Sequence, residues 1–372
     1  MTVCGPPWPA GRTIVIGFRR WRRWNLRPLL HAASANLVFV RDVAAAQALR
    51  PGPDDRIAVW GAAEPTGLPA LVAHSGAALV RIEDGFIRSV GLGSDLIPPR
   101  SIVFDDTGIY FDATRASGLE RILAETAFAA DQIARAAALR QAIVAQGLTK
   151  YNVETLAPPR WDIGGRPVVL VPGQVESDAS IALGCGTVRT NRALLQAVRA
   201  MRPDAFVVYK PHPDVMAGNR RGRIDSHADG LADHVETRAS ILACLALAGE
   251  VHTMTSLAGF DALLRGVPVV THGMPFYAGW GLTDDRAGDH PAAARRTRRL
   301  TLNELVAGAL LVYPRYWDPA AAGLTTPEAA IAAIASERDR LHAGPDPERL
   351  MRGFWRRQGR KAAVLARAWL PH

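Results

Sequence analysis

Four stretches of this sequence gather side chains able to do chemistry. The first is Lys210-Pro211-His212-Pro213-Asp214. Its two prolines fix the backbone and hold His212 extended. A lysine and a histidine so placed suit a phosphate or carboxylate, and His212 can give a proton to a leaving phosphate. The second is GQVESDAS at 173–180. Asp178 there can be a nucleophile or a base, and Gln174 and Ser180 can hold substrate; the plainer alternative is that Asp178 caps the next turn. The third is EDGFIRS at 83–89. Glu83 and Asp84 can exchange protons or bind sugar hydroxyls; alternatively Asp84 caps the next element and pairs with Arg88. The fourth is the turn of His252, Thr253, Thr255 and Ser256. It precedes a helical segment at 257–265 and so offers hydroxyls and unpaired N–H groups to an anion.

Each stretch must be held by a regular element. The apolar run 78–82 is a strand that delivers Glu83 and Asp84 at its carboxyl end. The run 167–172 delivers the Gln174 loop, and 205–209 delivers Lys210 and His212. A short lead ending at Val251 delivers the hydroxyl turn. Gly266 stops the helix, and 267–270 forms the next strand. A glycine- and aromatic-rich loop, 273–281, then lies at the edge where open α/β sheets bind ligands. Further strands are expected at 13–16, 37–40 and 57–60, with helices at 44–49, 68–73, 130–147, 191–201, 302–310 and 326–342. A hairpin is expected from 101–104 and 108–111, with a helix capped by Ser117 after it, and an aromatic turn at 313–319. Short turns between alternating strands and helices predict parallel sheets covered on both faces. The Pro- and Gly-rich stretch 155–166 reads as a linker. It separates a Rossmann-like domain at 1–154 from another at 167–342, with a basic helix at 343–372 packing back on the first.

The 372 residues suffice for two domains. Three cysteines (Cys4, Cys185, Cys244) lie far apart, which fits a reducing cytoplasm and argues against a zinc or disulfide framework. No signal peptide or spanning segment is legible. The net charge of +9 comes from 44 Lys and Arg against 35 Asp and Glu. Arginine and tryptophan interleave at 18–24 and again at 354–361. That mixture suits an anionic lipid surface, a nucleic acid, or a solvated helix that turns its tryptophans inward. The Arg220–Arg223 run reads as a loop able to reach an acidic ligand.

Taken together, EDGFIRS, GIYFDA (108–113), VPGQVESDASI (171–181), YKPHPDV (209–215), HTMTSLAGFDALLRG and PFYAGWGLTDD resemble the bacterial capsule polysaccharide proteins of the KpsC/LipB type. These are β-Kdo glycosyltransferases that build a Kdo linker on a phosphatidylglycerol lipid. The resemblance implies a GT-B fold, two Rossmann-like domains facing across a cleft. It implies a CMP-β-Kdo donor on the second domain, a lipid-linked Kdo acceptor, and retention of configuration without a cofactor or metal. Within the family's QxxxD motif, here Gln174 to Asp178, the aspartate is the nucleophile; Glu176 on the same loop is the competing choice. His212-Pro213, with Lys210, would contact the CMP phosphate. Thr253, Thr255 and Ser256 would hold the remaining phosphate or cytidine groups, and Glu83 or Asp84 would activate the acceptor. The best-known members carry two modules in tandem, and this sequence carries one, closest in its GQVESDAS form to the module making a 2→7 linkage. The implied setting is cytoplasmic, peripheral on the inner membrane, beside other capsule-assembly proteins and with no nucleic acid. A glycolipid-binding assembly adaptor and a nucleotide-sugar epimerase are the competing readings.

Overall fold

A computed structural model describes residues 11–34, 36–152, 158–216, 230–343 and 354–369. Cys4, the 217–229 run with Arg220–Arg223, and part of the expected 155–166 linker lie outside the described residues. The chain forms two units, Met1–Ile109 with Lys150–Asn152 and Ala309–His372, and Tyr110–Thr149 with Val153–Gly308.

The first unit opens with β1 (Thr13–Ile16), α1 (Arg20–Ala33), β2 (Leu37–Val40), α2 (Val43–Ala48), β3 (Arg56–Trp60), α3 (Leu68–Ser75), β4 (Ala78–Asp84) and β5 (Ser101–Asp105). The second holds α4 (Gly118–Glu125), α5 (Ala130–Ala145), β6 (Val168–Pro172), α6 (Ala179–Gly184), α7 (Asn191–Met201), β7 (Phe206–Lys210), α8 (Pro213–Met216), β8 (His234–Val235), α9 (Ile241–Leu245), β9 (Glu250–Thr253), α10 (Leu257–Leu264), β10 (Val269–Thr271), β11 (Asp284–Asp285), α11 (Pro291–Arg295) and α12 (Leu302–Val306). The chain then completes the first unit with β12 (Pro314–Asp318), β13 (Gly323–Thr325), α13 (Pro327–His342) and α14 (Phe354–Trp369).

The first sheet runs β13-β12-β5-β4-β3-β1-β2 and the second β11-β10-β9-β6-β7-β8. The second is wholly parallel, and its β6 and β7 are apolar on both faces because helices cover both. The expected α/β class with two Rossmann-like halves is the observed one.

The first sheet departs from expectation. Only β2, β1, β3 and β4 run parallel. The expected 101–111 hairpin does not form, since the Asp105 carboxylate accepts from the Thr107 and Gly108 amides and turns the chain away. Instead β5 pairs antiparallel with β4 and with β12, over 200 residues on. The expected aromatic turn at 313–319 is therefore a strand, with Pro314 tolerated as its first residue. Tyr313 anchors it by donating to Asp105 Oδ2 at 2.7 Å. The division into units also differs from the expected cuts. Residues 110–149 join the second unit because α5 packs on α12, burying Ala136, Leu139 and Ile143. Residues 309–342 join the first because β12 and β13 extend its sheet.

Candidate functional site

In the second unit, β7, β6 and β9 are neighbours, so their carboxyl ends meet. Lys210 pairs with Pro172, and the Gly173 amide donates to the Lys210 carbonyl at 2.8 Å. Val251 pairs with Leu170, which places the hydroxyl turn beside the Gln174 loop. Gln174 ties the two together. Its Oε1 accepts from the Thr255 amide at 2.9 Å, and its Nε2 donates to Thr255 Oγ1 at 3.0 Å. Thr255 Oγ1 in turn donates to Ser180 Oγ at 3.2 Å. Thr253 Oγ1 accepts from the Ser256 amide at 3.2 Å, and Ser256 caps α10 at Ala258.

Asn191, which the sequence presents only as a helix start, latches the loop. It is fully buried and exchanges two 2.8 Å hydrogen bonds with the Gln174 backbone. Its amide donates to Glu176 Oε1 at 2.7 Å. Asp178 caps α6, its Oδ1 accepting from the Ser180 amide at 2.9 Å, and its side chain is exposed. Capping and an open carboxylate thus coexist at Asp178. Glu176 is the more committed of the two, since it sits on the first amide of α7.

His212 Nδ1 accepts from the Asp214 amide at 3.1 Å. A neutral ring so held carries its proton on Nε2, where it is a donor. Lys210 is 7% exposed and donates to the Ala239 carbonyl at 2.6 Å, so its charge acts from beneath the strand ends.

The 273–281 loop is mainly a buttress. Phe276, Tyr277, Ala278 and Trp280 are buried, and the Tyr277 hydroxyl donates to the Ser256 carbonyl. A Cβ on Gly259 would collide with that hydroxyl. Arg296 holds the loop by donating to the Pro275 and Ala278 carbonyls at 2.6 and 2.9 Å, while its Nε reaches Glu120 Oε2 at 3.0 Å. Arg295 also donates to Glu120. Glu120→Ala would strand the Arg296 charge in the interior, so a loss of about 3–5 kcal/mol is expected in urea unfolding.

Behind the turn lies a chain of titratable groups, buried at His252 and His272 and open to solvent at Arg202. His252 Nε2 meets Glu250 Oε2 at 2.9 Å, its Nδ1 meets His272 Nε2 at 3.1 Å, and Arg202 pairs with Glu250 at 2.9 Å. Burial pushes His252 down and His272 to about 4, His252 adding to the latter shift. The unfolded chain therefore takes up a proton near pH 6.5 that folded His272 refuses until about pH 4. Stability should fall by roughly 3 kcal/mol as pH drops through that window. Urea midpoints across it should show an acid limb that His272→Asn flattens.

In the first unit, Glu83 and Asp84 end β4. Of the second alternative for this stretch the pairing forms, with Asp84 Oδ2 accepting from buried Arg88 at 2.6 Å. Arg88 also donates to Ser89 Oγ at 2.9 Å and to the Ile97 carbonyl at 2.8 Å. Among the described residues Glu83 has no such clamp; its Oε1 accepts from the Asp84 amide at 3.0 Å. Burial, then the Asp84 charge, pushes the Glu83 carboxyl up to about 7. It can accept and return a proton near neutrality.

The basic-aromatic stretch of α1 divides. Arg20, Arg23, Trp24 and Arg27 face outward, while Trp21 and Arg22 are half-buried. As expected of the tail, α14 lies against α1, and the Arg20 guanidinium sits 3.9 Å from the centre of the Trp369 ring. Trp24, Leu365 and Trp369 are 37%, 40% and 66% exposed, so the two helices share an arginine- and tryptophan-bearing surface. Lys361 pairs with Asp95 at 3.0 Å. Side chains at 354–357 and Arg360 lie outside the described residues. Among the described residues no helix is long and apolar enough to cross a membrane, and no three His, Cys, Asp or Glu side chains gather as metal ligands would.

Residues 55–157 and 162–316 match the family described as capsule polysaccharide biosynthesis protein. The chain belongs to that family. Relatives include the capsule polysaccharide modification protein LipA of Neisseria meningitidis serogroup A, 44% identical over 83% of this chain and 43% of LipA. The lipopolysaccharide-processing protein LpsZ of Rhizobium meliloti is 39% identical over 75% of this chain and 64% of LpsZ. The chain thus spans less than half of LipA and under two thirds of LpsZ. Two solved units of Thermosulfurimonas dismutans KpsC each match over 88% of this chain and 99% of theirs. The β-Kdo 2,7 transferase is 34% identical with a TM-score of 0.71, and the β-Kdo 2,4 transferase 30% identical with a TM-score of 0.76. Identity ranks the 2,7 unit first and superposition the 2,4 unit. This capsule family member is therefore built like a single Kdo transferase unit.

Proposed function

We propose that the chain is a retaining β-Kdo glycosyltransferase, using CMP-β-Kdo to extend a lipid-linked Kdo acceptor for capsular polysaccharide. The observation carrying this reading is similarity over nearly the full length of two KpsC transferase units. The strand-end loops offer the groups such a reaction needs. The Asp178 carboxylate attacks the anomeric carbon, the bond to the phosphate oxygen breaks, and CMP leaves with the electron pair. His212 Nε2–H, the α10 N-terminus and Lys210 offset the phosphate charge. In the second step Glu83 takes the acceptor's hydroxyl proton, the oxygen attacks the same carbon, and Asp178 leaves. Two inversions restore the β configuration. The scheme calls on no metal or cofactor.

The GQVESDAS sequence favours a 2→7 linkage. The test is incubation with CMP-Kdo, generated in situ, and a synthetic Kdo-terminated lipid, with the product's linkage read by NMR. A β-linked Kdo added to the acceptor supports the reading. CMP binding without transfer to Kdo lipids of either terminal linkage favours the assembly adaptor instead.

We place the protein at the cytoplasmic face of the inner membrane, with the α1–α14 surface on anionic lipid. Arginine there meets phosphate while the indoles enter the interface. Sedimentation with phosphatidylglycerol vesicles is expected for the wild type. Joint substitution Trp24→Ser and Trp369→Ser should weaken it about tenfold or more, and added salt should weaken it further.

A further inference from the structure

Arg22 lies at the start of α1 yet turns away from the exposed face. Its guanidinium carbon sits 4.3 Å from the centre of the Trp60 ring, 4.9 Å from Trp21 and 6.0 Å from Phe18. Phe18 meets Trp60 edge-on at 5.8 Å, so the platform is itself packed. Trp60 ends β3 and pairs with Ile82, the residue before Glu83, which puts Arg22 at the same sheet edge as Glu83. Among the described residues the Arg22 guanidinium rests on ring faces and feels the Glu83 and Asp84 charges, with no hydrogen bond to either carboxylate. Asp84 already has Arg88. Stacking fixes the plane of an arginine while leaving its N–H edge directed outward, the geometry that grips a carboxylate or phosphate through two parallel bonds. The helix start agrees: α1 has no side-chain cap and no acidic residue in its first turn, so its amides also favour an anion.

We infer that Arg22, stacked on Trp60 and Trp21 beside Glu83, is the specificity-determining residue that grips the acceptor's anionic group, a sugar carboxylate or a phosphodiester. The inference rests on the reading above, in which Glu83 serves the acceptor. Gripping an anion here would align the neighbouring hydroxyl with Glu83, so Arg22 selects acidic acceptors and leaves the donor step untouched.

Calorimetric titration tests this with three probes: the β-methyl glycoside of Kdo, its carboxamide, and glycerophosphoglycerol. Wild-type protein should prefer one of the two anions over the neutral amide by at least about tenfold, and which anion wins identifies the group gripped. Arg22→Gln should bind that anion no better than the amide. Arg22→Lys, which keeps charge but loses the planar fork, should fall between. Trp60→Leu, which removes the stacking platform, should also lower the preference. In transfer assays Arg22→Gln should raise acceptor KM at least about tenfold with donor KM unchanged. An intact anion preference in folded Arg22→Gln, or equal binding of all probes by wild type, overturns the inference. So does an unchanged acceptor KM with an acid limb moved to higher pH, which would mean that Arg22 only tunes Glu83. Anion preference lost in Arg22→Gln, with no Kdo transfer by wild type, would sink the transferase reading and leave this site standing.

Discussion

Replacing Asp178 with Asn should lower Kdo transfer by at least about a thousandfold while leaving the fold and CMP binding intact. The choice of Asn matters. Asp178 Oδ1 caps α6 through the Ser180 amide. Asn caps a helix about as well as Asp, whereas Ala would cost roughly 1 kcal/mol and blur the result. Asn therefore removes only the carboxylate proposed as nucleophile. Glu176→Gln is the matched control, because its carbonyl oxygen can still accept from the Asn191 amide. That variant should keep transfer within about tenfold of wild type. The reverse pattern, with Glu176→Gln dead and Asp178→Asn active, would exchange their roles.

Glu83→Gln should cost about a hundredfold to ten-thousandfold in kcat with little change in donor affinity. The wild-type rate should fall on the acid side with an apparent pKa near 7, since in the proposed second step only ionised Glu83 can take the acceptor's proton. Removing the neighbouring charge in Asp84→Asn should move that limb to lower pH. Stability carries the opposite sign. A carboxyl raised in the folded state contributes stability below its unfolded value near 4.5 that is lost as pH rises through about 7. Glu83→Gln should thus melt higher than wild type at pH values above 7, as expected where an active site holds a strained charge. Pre-steady-state kinetics and thermal melts across that range test both signs.

The parts of this fold legible in the sequence were those coded locally. Runs such as 167–172 and 205–209 read as buried strands because they are apolar throughout, and they form as Val168–Pro172 and Phe206–Lys210, while Gly147 and Gly266, both with positive φ, marked helix ends. The pairing of β5 with β12 was not legible, because it joins segments more than 200 residues apart and Asp-Asp-Thr-Gly looks like a hairpin turn. At the candidate site, residue types pointed to the Gln174 loop and the hydroxyl turn that the structure joins, but not to their bonds. Nothing local says that Lys210 ends on the Ala239 carbonyl or that Asn191 holds the Gln174 backbone. The Trp-Arg-Arg-Trp spacing of α1 puts aromatic and basic residues on more than one helical face, so only the structure separates inward Arg22 from outward Trp24.

The most direct test is peptide-mapped mass spectrometry of wild-type protein quenched during incubation with CMP-β-Kdo alone. One Kdo residue covalently attached to Asp178, and absent in Asp178→Asn, is the expected result. Vigorous transfer to acceptor with no adduct on the 173–180 loop at any quench time, or an adduct on Glu176, would contradict the assignment of Asp178 as nucleophile.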